Sequence, residues 1–182
     1  MAIERVTKPS DWVLAIEEYA KAYITSYVIE GDNVPKFKVG KVKYEVGGAV
    51  GPDEVCLGVL ALDMQSTFHA GEPWPTQRAP SAPFVGPTDS IGVTINLRYV
   101  TCVPGPTSSG GAPNAAAAAA EQFAIMDLGF GLWRDSIRQT DKVWRKTNGF
   151  GPINVGTLTR LPVSGKGSGF VIPFTCKISM AC

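Results

Sequence analysis

The residues of this chain that could do chemistry are few and scattered. His69 is the single histidine, beside Phe68 and just ahead of a proline-rich stretch. Nucleophilic catalysis needs a base held next to its nucleophile. No Gly-x-Ser-x-Gly accompanies His69, so it reads as a surface or loop residue. Gly165, Lys166, Gly167, Ser168 and Gly169 invite comparison with a phosphate loop. That motif needs a glycine where Arg160 stands and a helix afterwards, whereas Phe170 opens a strand-like run. Asp127 and Asp135 could share one side of a helix, but eight residues set them ~12 Å apart along the axis. That is too far for two carboxylates to act on one bond, so both read as solvated.

The four cysteines, Cys56, Cys102, Cys176 and Cys182, have no Cys-x-x-Cys spacing and no clustered histidine. A zinc site is not expected. Three of them fall in strand-like runs, where cysteine serves as a small apolar residue, and all four are expected to be reduced. Lys41 and Lys43 share a face of a strand with a two-residue period, a small basic stripe that is either solvated surface or a weak DNA-facing patch. No cofactor site is expected.

Charged residues make up 18% of the 182 and the net charge is +1, with 20 glycines and 14 prolines. A charge so close to zero creates no global field to recruit nucleic acid. Neutral, loop-rich surface suits burial against neighbours, because interface cores are poor in charge. The first ten residues lack an apolar signal core, and no apolar run nears ~18 residues, so synthesis in the cytoplasm without a membrane anchor is expected.

The elements that must position these residues are legible as periodicities. Trp12, Ile16, Tyr19, Tyr23 and Tyr27 recur at steps of three and four, predicting an amphipathic helix to about Val28, with Ser10 as its cap and Glu17 turned outward. Residues 39–46 and 55–62 read as a neighbouring pair or hairpin of strands, the second apolar on both faces. Residues 70–89 hold five prolines and no period, a long loop anchored by Trp74 and Phe84. Those aromatics pin the loop to its own domain or dock on a neighbour; both readings stand.

Ile91, Val93, Ile95, Leu97 and Tyr99 alternate with Thr94, Asn96 and Arg98 as a half-buried strand. After a Gly/Pro linker, an alanine run opens a helix to about Gln139, with Phe123, Met126, Phe130, Trp133 and Ile137 as its apolar stripe. Gly129 and Gly131 inside it imply close packing or a kink. Residues 153–161 and 170–178 close the chain as strands, with Pro173 marking an edge or bulge. The expected fold is one α+β domain over residues 1–182. Its sheet is mainly antiparallel, with both helices packed on one face.

Several segments together resemble the tail terminator proteins of long-tailed actinobacteriophages. They are residues 55–62 (VCLGVLAL), 68–75 (FHAGEPWP), 91–104 with LRYVTCVP at its end, and the alanine-rich helix through Trp133 and Arg134. The similarity spans roughly residues 10–145 and leaves the last forty without counterpart. It implies a homohexameric ring in the virion neck, assembled in the host cytoplasm, that ends the tail tube. Its partners would be copies of itself, the major tail tube protein and the head-closure or connector proteins. Genomic DNA would pass through the hole without specific binding, and Trp74, Phe84 and His69 would be candidate contact residues. A non-enzymatic structural role follows. Another neck protein, such as a head-closure protein, or a small ligand-binding or enzymatic domain near Trp74, His69 and Asp89 is the alternative.

Overall fold

The computed structural model describes residues 8–30, 42–44, 58–78, 90–102, 115–142, 152–164 and 167–179. Lys41, Phe84 and Asp89 lie outside them, and of Lys43 only its strand position is described.

Helix α1 spans Pro9–Glu30. Proline at the first helical position loses no hydrogen bond, since that N–H has no partner within the helix. The cap differs from expectation: Asp11 Oδ2 accepts from the Lys8 N–H at 3.0 Å, and Asp11 N–H donates to the Lys8 carbonyl at 3.1 Å. Lys8 is therefore the capping position, and Asp11, the third helical residue, reaches back to its N–H, while Ser10 lies inside the first turn. Trp12, Ile16, Ala20 and Ile24 are buried, with Tyr19 and Tyr23 packed beside them. Glu17 is also buried rather than outward, and Lys21 one turn later pairs with it.

Strands β1 (Val42–Tyr44), β2 (Val59–Ala70), β3 (Ser90–Cys102), β4 (Ile153–Val155), β5 (Thr159–Ser164) and β6 (Gly167–Ser179) form one sheet in the order β1-β2-β3-β6-β4, with β5 also on β6. All pairings are antiparallel except β1 with β2, which run parallel. They are neighbours but not a hairpin, because a parallel pair cannot be joined by a tight turn. The apolar run ends at Leu62, yet β2 continues through the polar residues to Ala70. Its register with β3 shifts between Met64 and Ser66, a bulge.

Alternation builds the core. Val93, Ile95, Leu97 and Tyr99 of β3 face the same side as Cys176, Phe174, Ile172 and Phe170, their partners on β6. All are buried, each worth roughly 1.5–3 kcal/mol when fully removed from water for the larger aliphatic and aromatic members. Tyr99 and Phe170 pack with ring centroids 5.4 Å apart. Both helices join this same cluster. Thr94, Asn96 and Arg98 on the other face are half-buried, but that face is closed at one end, where Val59 and Ala61 are buried as well.

Helix α2 spans Ala115–Lys142, and its buried side is not the expected one. Ile125, Leu128 and Leu132 enter the core, while Phe123, Phe130 and Ile137 are exposed and Met126 and Trp133 are half-buried. Glycine explains the choice. A Cβ on Gly129 would stand 2.7 Å from the Phe170 ring, so only glycine lets the helix sit that low on β6. Trp133 turns sideways and donates from Nε1 to the Gly156 carbonyl at 2.8 Å.

Pro173 was expected at an edge or bulge, yet β6 is an inner strand with β3 on one side and β4 and β5 on the other. Its carbonyl accepts from Gly156 N–H at 2.7 Å. In an antiparallel strand a residue's N and O point the same way. The missing donor therefore faces the break between β4 and β5, where a strand bond is already interrupted.

Candidate functional site

The described part of the proline-rich segment folds back on its own strand. Arg78 N–H donates to the His69 carbonyl at 2.9 Å, Gly71 N–H to the Thr76 carbonyl at 2.8 Å, and Ala70 bridges to Gln77. The return includes cis bonds before Pro73 and Pro75. It brings Trp74 over Phe68, with ring centroids 6.4 Å apart and planes 14° from parallel. Phe68 in turn lies across Gly92, where any Cβ would meet its ring at 2.2 Å. Lys177, the β6 partner of Gly92, sets its Nζ 5.9 Å from the Trp74 ring centroid and 3.6 Å from Glu72.

This stack of Phe68, Trp74 and Lys177 occupies the sheet face opposite the helices. Trp74 is half-buried and its Nε1 is enclosed with no acceptor among the described residues. Trp74 packs on Phe68 of its own domain and keeps part of its ring exposed. His69 does not join the stack, because it pairs with Ile91 and strand alternation points it to the helix face. Sequence reasoning missed Phe68, Gly92 and Lys177 as partners of Trp74. The hint was a glycine in the best strand of the chain, which often marks where another group approaches closely.

The remaining candidates separate. Asp127 is exposed, while Asp135 is half-buried and accepts from Tyr19 Oη at 2.7 Å, tying the two helices together. Its expected solvation is therefore replaced by a structural bond. Gly167 to Gly169 lie within β6, so a strand follows where a phosphate loop needs a helix, while Gly165 and Lys166 lie outside the described residues. Cys176 is free and buried, with burial pushing its thiol pKa up. Cys102 is disulfide-bonded, and its partner lies outside the described residues. The expectation of four reduced cysteines is thereby overturned: a strand-end cysteine can reach another element, which spacing along the chain does not reveal.

Among the described residues no three His, Cys, Asp or Glu side chains gather in a metal-binding group, and no helix is long and apolar enough to cross a membrane. No family model, curated protein or solved structure matches this chain.

Two surface features stand out among the described residues, one apolar and one a strand edge. One is the outer line of α2. The other is the far half of β2, where Met64, Gln65, Ser66 and Thr67 are all exposed and Met64 is 48% open. β1 pairs only with Leu60, Ala61 and Leu62, and residues 76–78 fold back on the far end, so from Asp63 to Phe68 β2 is the outer strand of the described sheet.

Proposed function

We propose that this chain is a virion structural protein of the tail-terminator type, a subunit of a hexameric ring at the head-proximal end of a phage tail tube. The ring ends tube growth, joins the tail to the head-closure or connector proteins, and lets DNA pass through its hole. The reading rests on the resemblance of residues 10–145, and one structural observation carries it furthest. Among the described residues the sheet has unlike flanks: a bulged stretch of β2 with no strand beside it on one side and the short strands β4 and β5 on the other. Head-to-tail rings need two different surfaces on opposite sides of each subunit. An open strand edge is a ready template for another chain. A net charge of +1 suits a channel that must not hold DNA.

Native mass spectrometry should find a ring, alone or on tail tubes, and the purified protein should limit the length of growing tubes. Thr67→Lys should leave the subunit's stability within ~0.5 kcal/mol, since Thr67 is exposed. It should nevertheless weaken ring formation. A protein that ignores tube ends but binds head connectors would be a head-closure protein. The enclosed, unpartnered Nε1 of Trp74 favours a ligand-binding domain as the second reading. A strict monomer that binds a small molecule at Trp74 would establish it.

A further inference from the structure

The outer line of α2 has an order that suggests its own occupant. Phe123, Phe130 and Ile137 are 69%, 50% and 40% exposed. They are spaced by seven residues, nearly two helical turns, and so lie in one row ~21 Å long. Together they leave on the order of 300 Å² of apolar surface open, the size of a patch that is often functional. Asp127 and Arg134, both exposed, flank the row on the same side, three residues before and four after Phe130. Arg134 already reaches toward the Phe130 ring, its Cζ 5.9 Å from the centroid.

Read from either end, the row runs apolar, charged, Phe130, charged, apolar, with the two charges opposite in sign. We propose that α2 packs against α2 of a second copy of this chain, antiparallel, about a two-fold axis at Phe130. The axis keeps residues of one side together. It sets Phe130 on the second copy's Phe130, Phe123 on the second copy's Ile137, and Asp127 beside the second copy's Arg134, twice over. A parallel pair would bring each residue level with its own copy, so no acid would meet a base. The charges thus select the antiparallel partner.

The open area is well below the ~800 Å² per partner of a stable complex. The pair is therefore weak and concentration-dependent, and its exposed charges make it sensitive to salt. A two-fold contact closes at two copies and cannot propagate into a ring. The inference thus stands apart from the ring proposal, and each can fail without the other.

Sedimentation equilibrium of the full chain over a wide concentration range, at low and high salt, tests it. A two-copy association step that weakens with salt is expected, monomer to dimer where a ring forms only on tubes and ring to paired ring where it forms alone. Phe130→Glu should abolish the dimer while the circular-dichroism melt stays cooperative and shifts only modestly, because the ring is half exposed and its inner side meets Trp133, 5.9 Å between centroids. Asp127→Arg and Arg134→Asp should each weaken the dimer about tenfold or more by setting like charges together. The double variant, with the charges exchanged, should return to within a few-fold of the parent. A protein that stays monomeric at every concentration would overturn the proposal. So would a dimer that survives Phe130→Glu, or a double variant no better than the single ones, since that would mean α2 faces some other surface.

Discussion

Single side chains in this protein are tuned by burial more than by charged neighbours. Tyr19 and Tyr99 have their hydroxyl pKa values pushed up from 10.0, chiefly because burial disfavours the phenolate. A group whose folded pKa is raised contributes stability below its unfolded value, and that contribution fades as pH rises past it. The thermal midpoint should therefore hold up to about pH 10 and then fall with increasing alkalinity. Tyr99→Phe should lower the midpoint little at neutral pH and should flatten the alkaline fall; an unchanged slope would show that the phenol is solvated. The cysteines give a second check at this scale. With Cys102 bridged and Cys176 free, alkylation of the denatured, unreduced chain should label two thiols, rising to four after reduction. Native Cys176 should react slowly, because the attacking species is the thiolate and burial suppresses it.

Among the elements, α2 shows how two adjacent glycine sites can differ in consequence. Alanine would favour a helix over glycine by roughly 1 kcal/mol at either position. At Gly129 the new methyl would meet the ring of Phe170, which is fully buried and has nowhere to move. Overpacking of that kind costs ~1–3 kcal/mol and should win. At Gly131 the clash is with Tyr23 Oη at 2.5 Å, the far end of a half-buried side chain that can swing aside. Gly129→Ala should thus lower the thermal midpoint, while Gly131→Ala should leave it nearly unchanged. Equal losses at both sites would mean that Tyr23 is locked in place, with the Tyr19, Asp135 and Ser136 hydrogen bonds holding the helix pair too firmly to adjust.

For the molecule as a whole, the sheet has one closed face and one partly open one. Ile95→Ala should cost about 2–5 kcal/mol in denaturant unfolding, as for any large aliphatic group lost from a packed core. Thr94→Ala, next along the strand and half-buried on the other face, should cost under ~1 kcal/mol. Comparable losses would show that the second face is covered along its whole length, and not only at its two ends, by Val59 and Ala61 and by Phe68 over Gly92. Among the described residues, the outer β2 stretch and the outer row of α2 are two surfaces open to partners. They lie on different elements, so assembly through one need not block the other.

Helix α1 and strands β3 and β6 were legible in the sequence because each has a single apolar face, and a single face has only one way to turn. Trp12, Ile16, Ile95 and Phe174 sit where their periodicity put them. The α+β class followed from the order of those elements. Helix α2 was legible as a helix but not in its orientation. It carries two apolar stripes, a heavy one through Phe123 and Phe130 and a slimmer one through Ile125, Leu128 and Leu132. Periodicity reports that stripes exist; it does not say which one meets a sheet. The fit of Gly129 over Phe170 decided that, and so left the aromatics outside. The same holds for the parallel pairing of β1, the continuation of β2 through polar residues, the interior place of Pro173 and the bridging of Cys102. Each depends on what lies across space from the residue, and contacts between distant segments leave no spacing in the chain to be read.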